Sequence, residues 1–140
     1  MSKQLVVIVD ADAIIAQTNP EDILHQRANS ISQKLIDLNA QVIYPVTAIT
    51  EAATHMQRVL NSNASAFGTV QLMTDPTAQV AEVNKQTLTN ALKYFSTTAS
   101  KKNTVFDCVV AAVAEDYKAD AIFSFDRFYK KKGFKLAEEL

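Results

Sequence analysis

The sequence predicts a three-layer α/β/α protein in which helices cover both faces of a central parallel sheet. Short apolar runs rich in β-branched residues alternate along the chain with segments whose apolar residues have helical spacing. The first run, LVVIV at 5–9, has no polar alternation, which is typical of a strand buried on both faces. Strands that alternate with helices are joined by right-handed crossovers and lie parallel. A chain of 140 residues is expected to form a single domain over residues 1–140.

The first half of the chain is predicted to contain two strands, each followed by a helix. The first strand ends at Asp10, and NPED at 19–22 has the cap, proline and acids of a helix start. The helix that follows has one apolar stripe, formed by Leu24, Ala28, Ile31, Leu35 and Leu38. QVIY at 41–44 is a second strand stopped by Pro45, and Thr47 is predicted to cap the helix TEAATHMQRVL.

The second half is predicted to contain a loop, two helices and a third strand. NSNASAFG at 61–68 has the composition of a loop. DP at 75–76 is expected to open a helix with the apolar residues Val80, Val83, Leu88, Ala91, Leu92 and Phe95. Asn103 or Thr104 is expected to cap the helix VFDCVVAAVAEDY, and AIFSF at 121–125 is predicted to be a buried strand.

Composition indicates a globular protein and excludes several classes. With 48% hydrophobic residues and only 2 Gly and 3 Pro, the chain is too apolar for a disordered protein. A net charge of -1 means that any nucleic-acid site must be local. The lone Cys108 cannot form an internal disulfide, which favours a reducing compartment. Asp10 and Asp12 interrupt the N-terminal apolar run, so we expect a cytoplasmic protein without a signal peptide or membrane segment.

Four acidic residues are predicted to meet at one edge of the sheet. Asp10 and Asp126 directly follow buried strands, and Glu51 lies in the first turn of the helix after the second strand. Each acid alone has an ordinary explanation, because Asp is a common turn residue and Thr104 with Asp107 fits a capping box. The carboxyl ends of parallel strands and the helix N-termini that follow them share one edge, however. Chance does not readily explain four acids there.

A hard divalent cation would resolve the repulsion within such a cluster. Carboxylates a few ångströms apart raise one another's pKa values, and all-oxygen ligation favours Mg²⁺ or Mn²⁺. Ser124 is expected to point to the same edge and hydrogen-bond a carboxylate, and Asp12 is either a partner of the ligands or a loop cap. Zinc is disfavoured, since no ligand spacing is present in the residues His25, His55 and Cys108. The two histidines are expected on solvated helix faces.

Three segments, taken in order, resemble the PIN-domain nucleases, which include the VapC-type toxins of bacterial toxin–antitoxin pairs: VDADAIIA, TAITE and FDCVVAAVAEDYKADAIFSFDRFYKKKGFKLA. The resemblance spans nearly the whole chain. It is strongest in the last third, where an Asp opens an Ala-rich helix and a strand ends in Ser-x-Asp before a basic run and Gly133. The resemblance implies a PIN-like parallel sheet with an acidic Mg²⁺ or Mn²⁺ site that cleaves RNA, or DNA in some branches.

The resemblance also assigns roles to individual residues. Ser124 and Asp12 would lie beside the metal ligands, although the family often has Asn, Ser or Thr at the position of Asp12. The catalytic, metal-binding acids would be Asp10, Glu51, Asp107 and Asp126. Expected partners are RNA, an antitoxin protein and a second copy of the chain in a homodimer.

A basic, aromatic segment near the predicted site is expected to bind nucleic acid. Phosphates would contact the cationic side chains, while unpaired bases would stack on the aromatic rings. The predicted phosphate-binding residues are Arg127, Lys130, Lys131 and Lys132, with Lys101, Lys102 and Lys135 nearby. The predicted stacking residues are Phe128, Tyr129 and Phe134.

Two other functions are compatible with parts of the sequence. A strand followed by Asp10-x-Asp12 also resembles the opening motif of haloacid dehalogenase-type phosphatases, in which Asp10 would be a nucleophile. Against that, Ile14 stands where Thr or Val is expected, and the chain is short and has no later Gly-Asp loop. The second alternative is a PIN-like module that binds partners without catalysis.

Overall fold

The computed structural model describes residues 3–98 and 102–140. Within these residues the centre of the fold is one four-stranded sheet in the order β3-β2-β1-β4, and every strand pairing is parallel. The strands are β1 (Val6–Val9), β2 (Gln41–Pro45), β3 (Val80–Ala81) and β4 (Ala121–Phe123). The predicted three-layer α/β/α class with a central parallel sheet is confirmed.

Seven helices surround the sheet in the described part of the chain. They are α1 (Ala11–Thr18), α2 (His25–Asp37), α3 (Val46–Arg58), α4 (Asn63–Met73), α5 (Lys85–Ala91), α6 (Val105–Asp116) and α7 (Phe128–Lys131). Short 3₁₀ turns follow α5 and close the C-terminus at Leu92–Tyr94 and Ala137–Glu139. None of the described helices is both long enough and apolar enough to cross a lipid bilayer.

The core lies around β1 and α6. Val7, Ile8 and Val9 of β1 are completely buried, as expected for a central strand covered on both faces. Helix α6 is buried over seven consecutive residues, 108–114, so it is apolar on all sides. Most of these residues are Ala or Val, whose small side chains allow close packing against α5 and β1. This packing fixes the N-terminus of α6 near the end of β1.

Two sequence predictions in the middle of the chain are wrong. Residues 61–68 are not a loop: Ser62 caps α4 by accepting a hydrogen bond from the Ser65 amide at 3.1 Å. The polar residues that indicated a loop serve as the helix start. Val80 belongs to β3 rather than to a helix, and α5 begins only after Asn84, which caps it. A two-residue edge strand is too short to show a period in the sequence.

The predicted helix start at NPED is also wrong. The Asn19 side chain accepts a hydrogen bond from the Glu21 amide at 3.1 Å, which forms a local turn, and α2 begins at His25. Helix α1, which starts immediately after Asp10, was not predicted from the sequence. The strand predicted at 121–125 is shorter in the structure. It corresponds to β4, which ends at Phe123, and Ser124 lies in the loop that follows.

Burial of β1 should dominate the stability of the fold. Ile8 is 0% exposed, so Ile8→Ala should lower the free energy of unfolding by about 3 kcal/mol through lost burial and a residual cavity. Ile36 on α2 is 70% exposed, and Ile36→Ala should change it by no more than about 0.5 kcal/mol. Urea unfolding of both variants measures the difference. Equal effects would contradict the assignment of the core.

Candidate active site

A single cleft collects the predicted acids at the carboxyl edge of the sheet. Its volume is about 220 Å³, and its lining includes Asp10, Asp12, Glu51, Asp107 and Asp126. These side chains come from the end of β1, the first turn of α1, the second turn of α3, the first turn of α6 and the loop after β4. The structure therefore brings together residues that are up to 116 positions apart in the sequence.

Asp10 is the most deeply buried acid of the cleft, with 4% of the residue exposed. It is the N-cap of α1, because its Oδ1 accepts a hydrogen bond from the Ala11 amide at 2.7 Å. Its Oδ2 accepts a hydrogen bond from the Tyr129 hydroxyl at 2.7 Å. Both oxygens are thus held by the protein, which fixes the orientation of the carboxylate.

Ser124 connects two of the acids. Its Oγ lies 3.0 Å from Asp12 Oδ2 and 3.3 Å from Asp10 Oδ2, so its one proton can be donated to only one of them at a time. Ser124 Oγ also accepts a hydrogen bond from the Asp126 amide at 3.0 Å. Asp12 Oδ2 accepts a second hydrogen bond, from the Phe125 amide at 2.8 Å. The loop after β4 is thereby tied to the start of α1.

Asn103 links the other two acids. Its side-chain amide lies 2.9 Å from Asp126 Oδ2 and 3.4 Å from Asp107 Oδ2. Asp107 also accepts a hydrogen bond from the Thr104 amide at 2.9 Å, so the predicted capping box of α6 is present. Asp126 Oδ1 accepts a hydrogen bond from the Phe128 amide at 2.9 Å at the start of α7. The helix termini therefore orient both carboxylates.

Helix α3 contributes Glu51 and His55, which lie one turn apart and both line the cleft. The expectation that both histidines lie on solvated faces is wrong. His55 is half-buried at the cleft, and the half-buried His25 contacts the Ala16 carbonyl oxygen through Nδ1 at 2.6 Å. Helical position alone did not indicate which face of α3 would meet α1.

The acids destabilise one another's charged forms. Burial, followed by the charge of Asp12, raises the pKa of Asp10 well above its usual value. Burial, followed by the charges of Asp107 and Asp12, raises the pKa of Glu51 to about 7. Burial also raises the pKa values of Asp12 and Asp107, although hydrogen bonds to each carboxylate oppose the shift. The cleft therefore favours either a proton or a cation.

The donor chemistry of the cleft fits a hard divalent cation. The clustered acids offer only oxygen atoms, and Asp12 Oδ1 is buried without a hydrogen-bond partner in the described part of the chain. Across residues 3–98 and 102–140, however, no three His, Cys, Asp or Glu side chains are already arranged as a complete ligand set. A cation bound in the cleft would offset the mutual repulsion of the carboxylates.

Two residues of the cleft region were not predicted as site residues. Asn103 was considered only as a helix cap, and Tyr129 was expected to offer a stacking surface. That expectation is wrong, because Tyr129 is completely buried and its ring packs edge-on against Phe128, with 5.3 Å between the ring centroids. The ring was expected to be exposed because basic residues surround Tyr129 in the sequence. The single turn of α7 instead directs this side chain inward.

A second groove adjoins the cleft and shares Asp12 and Asp126 with it. Arg127, Lys131 and the rings of Phe125 and Phe128 line this groove, as do Lys102 and Asn103. Two of the predicted phosphate-binding lysines have other contacts: Lys130 forms an ion pair with Glu139, and Lys132 lies over the Phe128 ring. Phe134 packs against Tyr94, Lys135 is exposed, and Lys101 lies outside the described residues.

Comparison with known proteins identifies the family. The sequence model of the PIN domain matches residues 7–135. The chain belongs to the PIN domain family. No curated protein matches the chain significantly by sequence. Membership agrees with the order of the elements and with the place of the acids at the carboxyl edge of the sheet, and it disfavours the haloacid dehalogenase interpretation.

Two solved structures share this PIN fold. The toxin VapC20 of Mycobacterium tuberculosis, described as cleaving the sarcin-ricin loop, is 18% identical and has a TM-score of 0.75, with 91% of this chain and 95% of that chain covered. FitAcB from Neisseria gonorrhoeae is 12% identical and has a TM-score of 0.67, with 96% and 99% covered. At these identities the likeness establishes the fold.

The raised pKa of Glu51 predicts a pH-dependent stability. The folded protein binds the Glu51 proton more tightly than the unfolded chain, so the free energy of unfolding should fall as pH rises from about 4.5 to about 7. At pH 8 without metal, Glu51→Gln should therefore be more stable than wild type by about 1 kcal/mol, after discounting for solvent screening. At pH 4 the difference should disappear.

The control for this experiment is Glu21→Gln, because Glu21 is exposed and does not line the cleft. Its effect on urea unfolding should be the same at pH 4 and pH 8. If Glu51→Gln also had the same effect at both pH values, the electrostatic coupling of Glu51 to the cleft would be refuted.

Proposed function

We propose that this PIN-domain protein is a Mg²⁺- or Mn²⁺-dependent endoribonuclease. The observation that carries the proposal is the convergence of five carboxylates in one cleft, which His55 and Lys102 also line. Asp10, Asp107, Asp126 and Glu51 would hold the cation, and the unpartnered Asp12 Oδ1 is available to it or to its bound water. Attraction by the cation would offset the burial and the mutual repulsion that raise the pKa values of Asp10, Glu51 and Asp107.

The bound cation would lower the pKa of a water molecule and polarise the phosphodiester. The residues of the chain have three tasks in this proposal. The α1 and α6 caps orient Asp10 and Asp107, Ser124 holds Asp12 near Asp10, and Asn103 keeps Asp126 beside Asp107. Burial of Asp10 excludes water from its hydrogen-bonded face. No side chain in this arrangement is required to form a covalent intermediate.

Two alternatives are less well supported. A phosphatase would need Asp10 as a nucleophile, yet both Asp10 oxygens accept hydrogen bonds and the residue is almost completely buried. A binding module without catalysis would not need four predicted acids in one cleft. Loss of activity on substitution of these acids separates the nuclease from the binding module.

The groove beside the cleft supports a nucleic-acid substrate. Arg127 and Lys131 would bind backbone phosphates, and the half-buried Phe125 and Phe128 would contact bases. RNA is the proposed substrate because the family resemblance implies cleavage of RNA, or of DNA in some branches. The description of VapC20 as a toxin supports a toxin role with an antitoxin partner, and Phe67, Val70 and Leu72 on α4 are exposed apolar residues that a homodimer would cover.

Substitution of the acids tests the catalytic proposal. Asp10→Asn, Asp107→Asn and Asp126→Asn should each reduce Mn²⁺-dependent RNA cleavage by at least about 100-fold, because each removes a charge that would hold the cation. Asn preserves the Asp10 cap, so the melting temperature without metal should be unchanged or higher. Mn²⁺ should raise the melting temperature of wild type more than that of these variants.

The matched control is Asp37→Asn, an exposed carboxylate at the end of α2 outside the cleft, which should keep full activity. EDTA should abolish cleavage by wild type. The family resemblance implies products with a 5′-phosphate and a 3′-hydroxyl. Products with 2′,3′-cyclic phosphate ends, or full activity of Asp10→Asn, would rule out this mechanism.

The groove is tested by the salt dependence of RNA binding. In the inactive Asp10→Asn background, Lys131→Ala should weaken binding to single-stranded RNA and lower the slope of log K against log salt by about 0.7, the value for one phosphate contact. Lys85 on α5 is also an exposed lysine but does not line the groove, so Lys85→Ala should leave the slope unchanged. Equal slopes for both variants would place the RNA elsewhere.

A further inference from the structure

Tyr129 occupies an unusual position for a buried tyrosine. The residue is 0% exposed, and its hydroxyl lies 2.7 Å from Asp10 Oδ2 and 3.5 Å from Asp107 Oδ1. Both hydrogen-bond partners are therefore candidate cation ligands, one at the end of β1 and the other in the first turn of α6. A phenylalanine would fill nearly the same volume without a hydroxyl that needs a partner.

The distances define what the hydroxyl does. It has one proton, and the shorter contact assigns that proton to Asp10, where the bond to a carboxylate is strong and directional. The contact to Asp107 is at the limit of a hydrogen bond. Asp10 Oδ1 is already fixed by the Ala11 amide, so the Tyr129 bond fixes the second oxygen and determines which lone pairs face the cleft.

We infer that Tyr129 is a positioning residue that sets the affinity of the cleft for its divalent cation by holding Asp10, and through its second contact Asp107, in a binding orientation. This inference rests on the proposed function. Groups that hydrogen-bond metal ligands orient them, and their removal typically weakens metal binding about 10- to 100-fold. The Tyr129 ring packs against Phe128 on α7, and this contact keeps the hydroxyl in position.

The contrary possibility is that the hydroxyl competes with the cation. A proton donor on Asp10 Oδ2 could block a lone pair that the metal needs, and the hydroxyl would then have to move before the metal binds. The two possibilities predict opposite effects of removing the oxygen. Positioning predicts weaker cation binding, whereas competition predicts tighter binding.

The experiment measures Mn²⁺ binding to Tyr129→Phe by calorimetry without nucleic acid. We expect the Kd for Mn²⁺ to rise at least about 10-fold. In cleavage assays the Mn²⁺ concentration for half-maximal activity should rise by the same factor, with most of kcat recovered at saturating Mn²⁺. A purely structural role would lower kcat at all Mn²⁺ concentrations. An unchanged or lower Kd would overturn the inference.

Tyr94→Phe is the matched control, because the Tyr94 hydroxyl also donates to a carboxylate, that of Glu115 near the other end of α6. It should bind Mn²⁺ as wild type does. If wild type itself bound no Mn²⁺, the proposed function and this inference would both fail. If wild type bound Mn²⁺ and Tyr129→Phe bound it equally well, only the role of Tyr129 would fail.

A measurement on folded protein covers the case in which Tyr129→Phe does not fold. Mg²⁺ binding near the Asp10 carboxylate should change the environment of the Tyr129 phenol, so titration of wild type and of Tyr94→Phe should give a tyrosine ultraviolet difference spectrum that saturates with binding. Binding without any such change in either protein would overturn the inference.

Discussion

The mutual repulsion of five carboxylates at one edge of the sheet is the constraint on which the arrangement of the cleft depends. A parallel sheet places its strand ends and the following helix N-termini at that edge, and five acids of this chain lie there: Asp10, Asp12, Glu51, Asp107 and Asp126. Burial, together with the charges of Asp107 and Asp12, raises the pKa of half-buried Glu51 to about 7. The hydrogen bonds to Asp10, Asp12 and Asp107 oppose the upward pKa shifts of these groups.

The hydrogen bonds that hold these carboxylates come from elements far apart in the sequence. The Ala11 amide and Tyr129 hydroxyl hold Asp10, and Asn103 lies between Asp107 and Asp126. These donors lower the free energy of the charged forms, but they do not cancel the net negative charge. The side chains of the cleft are consequently held in place by protein groups, although the acids do not form a complete metal-ligand set within the described residues.

The parallel fold and the place of the acids could be predicted from the sequence because short buried strands alternate with helices, and Asp10 directly follows the first of these strands. Asp126 was also expected to follow a strand directly, but it lies three residues after the end of β4, in the loop at the same edge. The burial of Tyr129 could not be predicted from the sequence. Its ring faces inward because of its position in the single turn of α7, which lies within a run of lysines. The prediction of a loop at residues 61–68 was wrong for a related reason. Ser and Asn occur both in loops and at helix caps, and only packing against α3 distinguishes the two.

The central claim is that the cleft is a divalent cation site. A crystal structure of the protein soaked in Mn²⁺, with diffraction data collected near the manganese absorption edge, tests it most directly. We expect an anomalous difference peak within the cleft, about 2.0–2.3 Å from oxygens of Asp10 and at least one other acid, with the remaining carboxylates moved toward it. A cleft without a peak at saturating Mn²⁺, or a peak bound only by residues outside it, would show that the cleft is not a divalent cation site.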